Sequence, residues 1–143
     1  MKNIQKGVIT EVIAYLFILL FLYAATSKIV TYNTFHLEIS KSPFITDYAR
    51  ILAWLVPALE VIISILLLRN RTVLYGLYGA TALMWVFTVY ILAILNFADH
   101  IPCSCGGVLA QMSWSHHLVF NLFFVLLGFT GILLKSTPNK KTL

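Results

Sequence analysis

The chain has 143 residues, of which 60% are hydrophobic and 10% charged, with a formal net charge of +5. A soluble domain carries roughly 25% charged residues, so this chain cannot cover itself with polar surface and its solvent is expected to be lipid. The basic excess forms no run of about five or more cations interleaved with aromatics, which argues against a nucleic-acid partner.

A helix that crosses a bilayer needs about 20 mainly apolar residues. Four stretches qualify, in chain order 8–26, 49–68, 73–97 and 117–134. Their apolar residues run continuously instead of alternating, which favours helices over the strands of a barrel. The expected fold is all-α: one integral membrane four-helix bundle over 1–143, with outer loops 27–48 and 98–116 and a basic tail at 135–143.

The first span lacks a small-residue cleavage site after a short apolar core, so it reads as a retained helix and not as a signal peptide. Ser27-Lys28 closes its outer end, where a lysine can snorkel its ammonium to the interface. The following stretch is long for a plain loop. Ile29, Tyr32, Phe35 or His36, and Ile39 recur in it at helical spacing, which predicts a continuation of the first helix lying in the interface. Ser42-Pro43 reads as a cap followed by proline in the first turn, which predicts a second helix from 43 to 68.

Glu60 interrupts that second span. A charged group at such a depth costs about 2.5–3.5 kcal/mol on insertion-type scales, which makes it a functional candidate by default. Pro57 and Ser64 fall on the same face. Glu60 is therefore read either as a proton-handling or quinone-contacting group, or as a protonated side chain hydrogen-bonded to another helix. Arg69-Asn70-Arg71-Thr72 predicts a tight turn between antiparallel neighbours. Gly76 and Gly79, like Gly128 and Gly131, offer close backbone approach. Trp54, Tyr75, Tyr78, Tyr90 and Trp114 lie nearer span ends than centres, where an aromatic belt forms.

Orientation follows from the basic residues. Four spans place Lys2, Lys6, Arg69, Arg71, Lys135, Lys140 and Lys141 on one side and only Lys28, Lys41 and Arg50 on the other. The positive-inside rule then puts both termini in the cytoplasm and the last loop outside. In a bacterium this is the inner membrane with that loop in the periplasm, where disulfides persist.

That loop holds the only two cysteines of the chain, in Cys103-Ser104-Cys105-Gly106-Gly107. Pro102 before them and the two glycines after them predict an irregular turn. A bridge between Cys103 and Cys105 would close almost no chain and stabilise little, whereas a strained, exposed disulfide is readily reduced. Residues 107–112 could form one or two helical turns on the membrane, with the cysteines at their N-terminus, where the dipole favours thiolate. His116, and His117 if it turns inward, could add positive charge or accept a proton. Three functions compete: thiol–disulfide exchange through Cys103 and Cys105, a copper or zinc site using the two thiolates with His116 or its neighbours His100 and His117, or a non-enzymatic subunit of a larger membrane assembly. Two cysteines suffice for two-electron exchange at one face but not for a relay across the bilayer. A long-range electron source would then be a quinone, with Glu60 the first residue to test, or a partner with its own cysteines. Ser115 could cap the fourth helix, and Asn121, four residues beyond His117, more often glues helices than performs chemistry.

Taken together, Tyr23…Ser27-Lys28, Val56-Pro57-Ala58-Leu59-Glu60, Cys103-Ser104-Cys105-Gly106-Gly107 and Met112-Ser113-Trp114…His117…Asn121 resemble the MauE branch of the DoxX-like membrane proteins over nearly the whole chain. The resemblance implies four transmembrane helices in a redox-associated inner-membrane protein. It implies a link to disulfide formation or maturation of periplasmic proteins beside thioredoxin-like partners, with Cys103 and Cys105 carrying the chemistry; Ser27, Lys28, Trp114 and Asn121 are read from their positions as structural polar residues. Gly106 departs from the aromatic residue that follows the second cysteine in the family version associated with methylamine dehydrogenase. The helix count also looks like vitamin K epoxide reductase and the quinone-linked disulfide oxidases, but their Cys-x-x-Cys motifs are absent here.

Overall fold

Lipid-length apolar runs with a single polar stripe fold by turning that stripe toward one another and leaving the remaining faces apolar. In the computed structural model of the protein, which describes residues 2–40, 46–97 and 114–137, every described element is helical. The helices are α1 (Lys2–Val30), α2 (Tyr32–Ser40), α3 (Ala49–Leu68), α4 (Val73–Phe97) and α5 (Trp114–Ser136), with a single 3-10 turn at Thr46–Tyr48. Four of them, α1, α3, α4 and α5, are long and apolar enough to cross a membrane.

The four long helices form a ring in the order α1, α3, α4, α5, each packing on its two neighbours. All four interfaces are antiparallel. Leu67 and Ile63 of α3 meet Gly76 and Gly79 of α4, and Thr81 and Leu77 of α4 meet Gly128 and Gly131 of α5. Phe17 of α1 packs edge-on to Phe124 of α5, while Gly131 of α5 abuts Ile13. Lys28 reaches Glu60 of α3, while Thr10 and Leu67 line one cleft at the opposite end. The core runs down the middle of the ring, from Ile13, Phe17 and Phe21 to Ile63, Leu77, Met84 and Val125. The outward faces carry exposed Leu19, Ile51, Val86, Val119 and Leu126, a surface suited to acyl chains.

The glycines explain how closely α4 and α5 approach. A Cβ on Gly128 would run into Thr81 Oγ1, and that hydroxyl is held in place because it donates to the Leu77 carbonyl at 2.7 Å. Small residues at helix contacts are what permit such packing in lipid, where dispersion replaces the hydrophobic drive.

Two expectations need correction, and a third falls partly outside the described residues. The interfacial continuation of α1 is interrupted at Thr31, whose hydroxyl and N–H both donate to the Ser27 carbonyl. The short helix α2 then packs against the start of α3, with Tyr32 5.1 Å from Trp54 between ring centroids. The α-helical part of α3 begins at Ala49 after the 3-10 turn, and the expected start at Pro43 lies outside the described residues. The last span starts at Trp114, so Ser115 sits in the first turn and is not its cap.

Candidate functional site

The buried stripe of α3 is Ala49, Ala53, Pro57, Glu60, Ile63, Ser64 and Leu67, a helical face of small residues flanking one carboxylate. Pro57 has no N–H to give to the Ala53 carbonyl, which loosens the backbone one turn before Glu60. On α1 the facing residues Ala24 and Ala25 are also small and buried.

Lys28 Nζ donates to Glu60 Oε1 at 2.9 Å. Both residues are inside the bundle: Lys28 is 8% exposed and Glu60 1%. Lys28 therefore does not snorkel outward; the carboxylate of α3 draws its ammonium inward because an intramembrane acid is stable only beside a compensating group. The ammonium lies 5.9 Å from the ring centroid of Phe87 on α4, near the outer limit of a cation–π contact of about 6 Å. Glu60 Oε2 is buried and has no hydrogen-bond partner among the described residues. Ser64 does not serve it, since its hydroxyl donates to the Glu60 backbone carbonyl at 2.8 Å.

α4 and α5 add three further buried polar residues on this side of the bundle. Thr88, His117 and Asn121 are all buried. One heptad along from the Thr81–Gly128 contact, the antiparallel register places Thr88 opposite Asn121. By the same step from the Phe17–Phe124 pair, His117 falls opposite Ala24, one turn before Lys28 on α1. The Thr88 hydroxyl donates to its own helix, to the Met84 carbonyl at 2.7 Å. His117 and Asn121 share the buried face of α5, whereas His116 is exposed. The structure thus gathers Lys28, Glu60, Thr88, His117 and Asn121 into the half of the bundle from which the segment 98–113 emerges.

Cys103 and Cys105 lie within that segment and outside the described residues, as does His100. Ser27 is half-buried in the last turn of α1, and Trp114 opens α5. Among the described residues no group of three or more His, Cys, Asp or Glu is placed to hold a metal. The pairing of Lys28 with Glu60 escapes the sequence, in which Lys28 reads as a structural polar residue anchoring the helix end. The signal that could have found it is the need of Glu60 for a cation.

Residues 6–134 match the protein family described as methylamine utilisation protein MauE. No curated protein and no solved structure matches the chain. The match runs from the second turn of α1 to the last turn of α5, and so takes in the buried ion pair, the cysteine segment and nearly all of the four spans. This chain belongs to the MauE family, and is a multi-pass membrane protein associated with methylamine utilisation.

Proposed function

We propose that this protein is a thiol–disulfide exchange protein of the bacterial inner membrane, acting on a periplasmic dithiol partner through Cys103 and Cys105. The observation that carries the reading is the placement of the only cysteine pair, with one residue between its members, in the segment joining α4 to α5 at the end of the bundle away from Lys6, Arg69, Arg71 and Lys135. The positive-inside rule turns that end outward, into a compartment where disulfides persist.

The exchange balances within the two proteins. One thiolate of the pair attacks a partner disulfide, a mixed disulfide forms, and the first partner sulfur leaves as a thiolate. The second cysteine then attacks the sulfur of its neighbour, the Cys103–Cys105 bond closes, and the second partner thiolate leaves. Two electrons pass from this chain to the partner; the reverse sequence oxidises the partner.

The buried ion pair suits a quinone as the longer-range electron carrier. Glu60 Oε2 is an acceptor in need of a donor, which a hydroquinone hydroxyl would supply, and Lys28 stands beside it as a donor for a carbonyl oxygen. When bound, a quinone would take up or release two electrons in the membrane. The residues themselves would hold a proton at Glu60 Oε2.

Mixed-disulfide trapping tests the exchange. Cys103→Ser and Cys105→Ser, expressed in cells where the wild type is active, should each or alternately capture a soluble partner in a species split by reductant. An impermeant maleimide should label the remaining thiol from the periplasmic side of spheroplasts. Labelling only after the membrane is opened, or no captured species from either variant, would overturn the reading.

A further inference from the structure

The basic end of the bundle carries a second polar feature that thiol chemistry does not use. A cleft of about 410 Å³ opens there between the start of α1, the end of α3 and the end of α5, within the ~300–1,000 Å³ typical of ligand clefts. Lys6 and Glu11 line it from α1, Asn70 from the α3–α4 turn, and Lys135, Ser136 and Thr137 from the end of α5. Neither lysine makes an ion pair within 4 Å among the described residues, where the one such pair is Lys28–Glu60. Among the described residues that line the cleft the charges are two cations and one anion, a surplus of a single positive charge. Tyr15 and Leu68, also in its lining, are exposed to the lipid side, so the cleft is continuous with the surface along which acyl chains run.

We propose that this cleft binds the headgroup of an anionic phospholipid. A phosphodiester bears one negative charge, matching the surplus. Its oxygens accept from Lys6 and Lys135, a polyol head such as glycerol donates to Glu11, and the acyl chains descend past Tyr15. Basic pockets between transmembrane helices at this face are the general form of such sites. A doubly charged phosphomonoester fits less well, because Glu11 opposes the second charge.

The test uses the full-length protein in detergent, freed of native lipid and titrated with phosphatidylglycerol, phosphatidylcholine or glycerol phosphate, with bound species counted by native mass spectrometry. Phosphatidylglycerol should be retained in one copy more tightly than phosphatidylcholine, and glycerol phosphate should not displace it. Lys6→Gln and Lys135→Gln should each weaken retention about fivefold, the equivalent of about 1 kcal/mol per basic residue. Arg69→Gln and Arg71→Gln alter cations at the same end that do not line the cleft and should leave retention unchanged. Equal retention of the two lipids, an equal effect of the arginine variants, or displacement by glycerol phosphate would each overturn the proposal. Both lysines are exposed, so their replacement leaves the fold intact, as helical circular dichroism would confirm.

Discussion

Replacing one partner of the Lys28–Glu60 pair should be far more damaging than replacing both. The ammonium and the carboxylate are 2.9 Å apart with side chains 9% and 1% exposed, so neither charge reaches water after loss of the other unless its side chain leaves the bundle interior. Breaking a buried pair by losing one member costs about 3–5 kcal/mol, whereas exchanging both for apolar groups of like volume is often neutral or stabilising by about 1–4 kcal/mol. An ordinary interhelical hydrogen bond in a membrane averages only about 0.6 kcal/mol, so the charge, not the hydrogen bond, sets the scale. Lys28→Met and Glu60→Leu alone should each lower stability by about 3 kcal/mol or more, with the double variant near wild type and a coupling of about 6 kcal/mol or more. Reversible unfolding in mixed micelles by denaturing detergent measures all four corners of the cycle. The coupling should also survive a rise from 0.1 to 1 M salt, which shortens the screening length from about 10 to about 3 Å but does not reach a pair inside the bundle. Single variants that cost less than about 1 kcal/mol, or a double variant equal to the sum of the singles, would refute the reasoning.

Gly128→Ala should destabilise by about 1–3 kcal/mol through overpacking against Thr81, and Thr81→Ala in the same chain should recover most of that loss in the same unfolding assay. Gly7→Ala meets nothing within 4 Å and should stabilise α1 by about 0.5–1 kcal/mol through helix propensity. His117→Ala, at a buried position, should lower the melting temperature in detergent, while His116→Ala, at an exposed one, should leave it within error.

The spans were legible because lipid imposes a simple rule on composition. α3 and α4 run over Ala49–Leu68 and Val73–Phe97, as the apolar runs indicate, since Arg69-Asn70-Arg71-Thr72 punctuates them sharply. α1 and α5 exceed their apolar windows because a helix continues through polar residues such as Lys2, Lys6 and Ser115 at no cost once they stand outside the hydrocarbon. The break at Thr31 was not legible: it depends on Tyr32 finding Trp54, a contact between separate elements. Glu60 stood out as a buried acid from its position alone. Its partner did not, because a lysine near a helix end satisfies the interface as well as the interior, and only the register of α1 against α3 decides between them.

The distance along the chain between Lys28 and Glu60, 32 residues, also governs how the protein enters the membrane. At about 5–20 residues per second of synthesis, the lysine emerges from the ribosome roughly 2–6 s before the acid that neutralises it. Until then its ammonium can reach the interface, and the register of α1 against α3 is set only when the acid arrives. The acid therefore finds its cation already made when α3 enters the membrane, whereas the lysine meets its partner only once α3 has been synthesised.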